Sequence, residues 1–240
     1  MRRSNSLQGA LVGLAQVPDL PSYFALPKSM DVLMSDGART ERVFARIYEE
    51  NRWNSDESKS GKGSTLKSTR LLRGRLSSLF ADLDIRTLVD APCGDLNWMR
   101  QLNYTFSEYV GVDIVPGLVQ RLRSEIVTPN WRFMVGDISS DVLPKADALL
   151  CRDCLGHLPY ELALRAIENW KRAGFTYVIT TTFPGETNRE GVLGRWRRIN
   201  MQAPPFDFPD PVALIEERMP TPDRSKPVKS LGCWRTVDIP

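Results

Sequence analysis

The stretch Arg86-Thr-Leu-Val-Asp-Ala-Pro-Cys-Gly-Asp-Leu-Asn-Trp-Met99 decides the fold. It runs from an apolar strand over 86–91 through an acid, Asp90, into a Cys-Gly turn. In a doubly wound sheet the carboxyl end of the first strand opens into the ligand crevice, and small residues after it let the backbone approach a ligand closely. Tyr109-Val-Gly-Val-Asp-Ile-Val-Pro116 then reads as a second short strand, 109–113, ending in Asp113. An acid about 20 residues beyond such a turn is where the ribose hydroxyls of an adenosine ligand are held.

Outward from this pair, strands and helices alternate. The pattern predicts a helix near 96–102, a helix over 116–126, strands over 131–135 and 146–151, a helix over 159–173 and a strand over 176–182. That alternation means parallel strands with crossover helices. Upstream, Val43, Phe44, Ile47 and Tyr48 sit at helical spacing within 40–53, followed by a polar loop, 54–64, with two glycines. A helix from about Ser64 to Leu83 places Leu72, Leu76, Leu79, Phe80 and Leu83 on one face. After Thr182 loops and prolines dominate, with 211–217 and 231–239 as the last strand candidates.

The 240 residues make one large domain over 39–240, with 1–38 as a leader that packs peripherally or is partly mobile. A net charge of +3 with dispersed basic residues gives no case for a nucleic-acid partner. No apolar run approaches the roughly 20 residues that cross a bilayer, so no membrane role is expected. Four cysteines do not make the dense framework of a small secreted protein. The start, Met1-Arg-Arg with Leu7 to Val17, faintly imitates a signal peptide, but Gln8, Gly9, Gly13 and Pro18 spoil it, which points to the cytoplasm.

The motifs of the first paragraph together resemble the class I S-adenosylmethionine-dependent methyltransferases, whose first motif is an acid followed by a small-Gly-Cys-Gly-small-Gly turn. Asp90, Cys93 and Gly94 occupy the expected positions, while Pro92 and Leu96 stand where the first and last glycines would be. Proline fixes φ and removes an N–H, which disfavours a dinucleotide pyrophosphate and weakens a nicotinamide-oxidoreductase reading. S-adenosylmethionine carries no phosphate. The resemblance covers about 40–240, and Pro-Cys-Gly-Asp-x-Asn-Trp places the chain near a mainly bacterial subgroup. It implies a Rossmann-like α/β fold, helices on both faces of a mostly parallel sheet that ends in an antiparallel pair, with S-adenosylmethionine as cofactor.

The same resemblance puts Asp90 at the methionine end of that ligand, unless it only caps the following helix. Ala91, Pro92, Cys93 and Gly94 form the turn around it. Asp113 suits the adjacent ribose hydroxyls, since a carboxylate accepts two hydrogen bonds at once, although it can also be a plain turn residue. In Trp131-Arg-Phe-Met-Val-Gly-Asp-Ile138, Asp137 is the adenine-contacting acid, and Ile114 and Ile138 can sandwich the ring. Cys151 and Arg152 complete the cofactor set.

Ala146-Asp-Ala-Leu-Leu-Cys-Arg-Asp-Cys-Leu-Gly-His-Leu-Pro159 puts Asp153 and His157 where the transferable methyl faces a substrate. His157, the single histidine, can take a proton from a hydroxyl or amine, or merely pack. Asp153 is the rival base, or the group that orients the nucleophile. Cys151, Cys154, His157 and Cys93 can be drawn as four zinc ligands, but the string straddles a loop that the methyl donor should occupy, so no metal is expected. The 54–64 loop is a lid candidate with Trp53, Gly61 and Ser64. Trp98 and, further on, Arg195 and Asn200 are substrate-side candidates, the arginines beside Trp196 suiting a carboxylate, phosphate or sugar ring or else forming a surface stripe. The expected reaction is methyl transfer to a small-molecule or saccharide hydroxyl; a degenerate binding module is the alternative. The oligomeric state stays open.

Overall fold

The computed structural model describes residues 35–218 and 227–240. The expected leader therefore lies outside the described residues up to 34, while 36–38 belong to the first helix. Helices are α1 (Asp36–Glu49), α2 (Arg70–Asp82), α3 (Pro116–Glu125) and α4 (Tyr160–Ala173). Strands are β1 (Thr87–Asp90), β2 (Glu108–Asp113), β3 (Trp131–Val135), β4 (Ala148–Cys151), β5 (Tyr177–Thr182), β6 (Ala213–Glu216) and β7 (Ser230–Arg235).

The described strands form one sheet in the order β3-β2-β1-β4-β5-β7-β6. Strands β1 to β5 are parallel, and β7 pairs antiparallel with both β5 and β6. The chain leaves β1 toward β2 on one side and returns to β4 on the other, so the carboxyl end of β1 is the switch point where such sheets take ligands. Asp147 pins the opposite end: its Oδ2 accepts from the backbone N–H of Arg86 and Thr87 at 2.9 and 2.7 Å.

Both sheet faces are covered because successive strand residues point to opposite sides. Leu88, Tyr109, Leu150 and Ile179 face a core with Leu72, Leu76 and Phe80 of α2 and Leu118 and Leu122 of α3. Val89, Val110, Leu149 and Val178 face a second core with Ala163, Ile167 and Trp170 of α4. Phe44 of α1 packs against both, so α1 lies across the ligand end of the sheet. Local signals place the helix ends. Ser35 caps α1 by accepting from the N–H of Ala38, Pro116 opens α3, and Gly174, at φ +74°, closes α4 in the left-handed conformation that only glycine takes without cost.

Two expectations fail. The helix near 96–102 is a single 3-10 turn, Met99–Gln101, because Gly94 and Leu96 both take positive φ, +57° and +58°, and break a helical start. The helix expected from Ser64 begins at Arg70, with Lys62–Ser64 forming a separate 3-10 turn.

Candidate active site

A cavity of about 420 Å³ opens at the switch point, within the range of small-molecule sites. Asp90, Asp113 and Asp137 line it from the strand ends, and Thr40, Phe44 and Tyr48 close it from α1. Asp90 is buried and accepts from the Tyr109 hydroxyl at 2.6 Å. It caps no helix; its other oxygen takes no hydrogen bond from the described residues. Burial pushes its pKa up to about 7, only partly opposed by the Tyr109 hydrogen bond. Asp113 accepts from the N–H of Gly94 and of Val115, both at 3.0 Å, one on each oxygen. Each oxygen keeps a lone pair for a ligand hydroxyl. Burial raises this carboxyl to about 6.

The turn after β1 is held by the 54–64 loop. Asp95 accepts from the Ser58 hydroxyl at 3.0 Å and its N–H donates to the Ser60 hydroxyl at 2.9 Å. Asn97 donates to Glu57 and to the Ser64 carbonyl. A Cβ on Gly94 would stand 2.4 Å from Ser60 Oγ, so its close approach is to the loop, where the sequence suggested the ligand. Leu96 adopts the backbone that the missing glycine would supply, and its side chain is buried in the core. Trp53, Gly61, Ser64 and Trp98 all line the cavity, as do Pro92 and Cys93.

Asp137 spends one oxygen on the N–H and hydroxyl of Ser139, at 2.8 and 2.7 Å. Ile114 and Ile138 also reach the cavity. Ala91 and Cys151 do not: both are fully buried among the residues under α4, so they stand behind the wall. Burial pushes the thiols of Cys93 and Cys151 well above their ordinary value, which leaves them unreactive.

Beyond β4 four charges interlock. Arg152 makes a bidentate pair with Glu217, Nε to Oε1 at 3.0 Å and Nη2 to Oε2 at 2.6 Å, and also donates to the Gly63 carbonyl at 2.9 Å. Its guanidinium lies over the Trp98 ring, 5.3 Å from the centroid. Asp153 binds Lys229 and approaches Arg152 at 3.2 Å, and its N–H donates to the Thr181 hydroxyl. Burial pushes the Asp153 carboxyl up, but Arg152 and Lys229 outweigh it and hold it at about 2. A carboxylate so paired is a poor proton acceptor, so of the two roles expected for Asp153 the orienting one fits the geometry.

His157 is buried, with its ring 5.3 Å from that of Trp53 and 6.3 Å from that of Phe44. Burial lowers its pKa to about 4, so the imidazole is neutral near pH 7. Nδ1 faces the Gly194 carbonyl at 3.4 Å. A carbonyl only accepts, which assigns the proton to Nδ1 and leaves Nε2 as the acceptor.

Sequence reasoning missed Glu217, just past the end of β6, Lys229, just before β7, and Ser60, whose hydroxyl reads as a generic loop residue. Only the surplus of charge between 216 and 229 hinted at the first two. Asn200 is removed from the cavity. Its Nδ2 donates to the Glu186 carbonyl and its backbone N–H to Asn188 Oδ1, so it folds the 186–203 segment. Arg195 lines a neighbouring depression instead.

Residues 88–174 match the model of a family described as a methyltransferase domain. Among solved structures, magnesium protoporphyrin IX methyltransferase from Synechocystis PCC 6803 with bound SAH is similar at 14% identity, over 83% of this chain and 100% of that one, with a TM-score of 0.57. The methyltransferase domain of bacterial CtHen1 is similar at 13% identity, over 71% and 100%, with a TM-score of 0.52. No curated protein matches the chain in sequence. The structural likeness shows a Rossmann-like methyltransferase fold, in agreement with the methyltransferase-domain match over 88–174. Among the described residues no helix is long and apolar enough to cross a membrane.

Proposed function

We propose that this chain transfers a methyl group to a hydroxyl of a small-molecule or saccharide acceptor by direct displacement. The observation that carries the reading is one cavity holding two buried acids at the ends of β1 and β2 and a buried neutral imidazole beyond β4. The residues fit S-adenosylmethionine: the free oxygen of Asp90 suits its ammonium group, Asp113 its ribose hydroxyls, and Ile114 and Ile138 its adenine. The cofactor supplies a sulfonium methyl. With the cofactor bound, Nε2 of His157 would accept the proton of the acceptor hydroxyl and Asp153 would stabilise the imidazolium that results. The aromatic wall of Phe44, Trp53 and Trp98 excludes water from the transfer line. Leu96 in the glycine conformation removes one reason for reading the fold as a degenerate module.

Two measurements test this. Asp113→Ala is expected to weaken S-adenosylhomocysteine binding by about 1–3 kcal/mol, the range for a hydrogen bond to a charged group. Calorimetry with equal affinities would take Asp113 out of the site. His157→Ala is expected to slow label transfer from methyl-labelled donor to the small-molecule fraction of a cell extract roughly 100-fold, with donor affinity intact. Full transfer by a folded His157→Ala protein would leave orientation alone as the source of rate.

A further inference from the structure

Beside the main cavity lies a second depression of about 420 Å³, walled by the 186–198 segment. Its charged lining is four arginines, Arg189, Arg195, Arg197 and Arg198, against two glutamates, Glu186 and Glu190. Of the glutamates, one is paired with an arginine and the other accepts only from backbone N–H groups on one oxygen. Glu186 pairs with Arg198 at 3.5 Å, and Glu190 accepts from the N–H of Tyr160 and of Gly191, both at 2.8 Å.

Arg197 is the telling residue. It is half-buried, and its guanidinium donates only to carbonyls, those of Arg189, Gly156 and Leu158. Its Nη2 is buried without a hydrogen-bond partner. Among the described residues no carboxylate forms an ion pair with it; its guanidinium lies over the Tyr160 ring, 5.2 Å from the centroid, and the nearby Glu190 offsets only part of its charge. A guanidinium whose charge is only partly offset and whose Nη2 lacks a partner is stabilised by an anion in the depression.

The depression is joined to the transfer site in two ways. Trp196, about half exposed, lines both cavities and packs edge-on against Phe183. The segment also pairs with the turn that carries the imidazole: Gly194 N–H donates to the His157 carbonyl at 2.8 Å and Arg197 N–H to the Gly156 carbonyl at 3.0 Å. A group seated on the arginines is thus fixed relative to His157.

We propose that this arginine-lined depression is the recognition subsite of the acceptor, and that the acceptor is a small molecule with a phosphate or carboxylate group, its ring or chain lying on Trp196. Guanidinium forks match both anions, and an exposed indole supplies a flat apolar platform next to them. The inference rests on the transferase reading above for what happens at the other end of the molecule; the anion site itself does not.

The test is titration calorimetry of the full chain with inorganic pyrophosphate and, separately, citrate, each with and without S-adenosylhomocysteine, at low and raised ionic strength. Saturable binding that weakens with salt is expected, and at least tenfold weaker binding in the Arg189→Gln/Arg195→Gln double variant. Tighter binding of pyrophosphate identifies a phosphate-bearing acceptor, tighter binding of citrate a carboxylate-bearing one. The variant should hold S-adenosylhomocysteine as the wild type does, which shows it folded. No saturable anion binding by the wild type, or equal affinity in the variant, overturns the subsite. Failure of the wild type to bind S-adenosylhomocysteine would instead strike the transferase reading and leave the anion titration to decide this one.

Discussion

Glu217→Leu is expected to cost about 3–5 kcal/mol of folding stability, the range for removing one partner of a buried ion pair. The two side chains are almost fully buried, at 4% exposure for Arg152 and 7% for Glu217. Without Glu217, the cations of Arg152 and Lys229 share Asp153 as their one ion-pair partner, and the buried guanidinium is left under-compensated. The loss therefore comes from the stranded guanidinium more than from the vanished bonds. The double variant Arg152→Met/Glu217→Leu should regain a large part of it, since apolar residues of similar volume commonly replace such pairs without loss. Urea unfolding of the three proteins measures this. A cost below about 1 kcal/mol for Glu217→Leu would mean that solvent reaches the pair as it reaches a surface bridge.

Asp90→Asn is expected to act in opposite directions on folding and on binding. Burial raises the wild-type carboxyl from 3.8 to about 7. A raised pKa means that the folded state holds the proton more tightly than the unfolded chain, so this group's contribution is fully present below about pH 4 and is lost as pH rises through 7. A shift of that size corresponds to about 4 kcal/mol above pH 7. Asparagine carries no charge and can still accept from Tyr109, so the variant should be the more stable protein at pH 8 and gain nothing at pH 4. Its affinity for S-adenosylmethionine should fall, because the ammonium group loses its carboxylate. Thermal unfolding at the two pH values and calorimetry at pH 8 check both halves. A variant less stable than wild type at pH 8 would show that Asp90 is structurally needed in its ionised form.

Much of the sheet is legible in the sequence because its central strands are buried on both faces and read as short apolar runs. Asp90 and Asp113 are legible for the same reason, each being the first polar residue after such a run, whereas Asp137 follows the half-exposed edge strand β3 and shows only as a Gly-Asp turn. What the sequence does not show is what other segments do to these ends. Nothing in Gly-Asp-Leu-Asn announces that Asp95 and Asn97 are tied to a loop more than 30 residues upstream, or that Leu96 takes a positive φ there. Lys229 and Glu217 are equally hidden, since an ion pair formed across the sheet leaves no periodicity. Asn200 misled in the other direction, as polar residues that organise a loop resemble polar residues that face a ligand. The helix expected over 40–53 runs instead from Asp36 to Glu49, and its Phe44 and Tyr48 read as ordinary core residues; only their position over the switch point gives them a second use.

The bonds around Arg152 span long distances along the chain: 89 residues to Gly63, 65 to Glu217, and 76 between Asp153 and Lys229. The segment 88–174 that matches the family model holds the acids and the histidine, whereas the roof comes from before it and the bracing from after it. The cavity is therefore assembled from three stretches of the chain, none of which closes it alone. A fragment limited to 88–174 would lose both the loop that holds the turn after β1 and the carboxylate that braces Arg152.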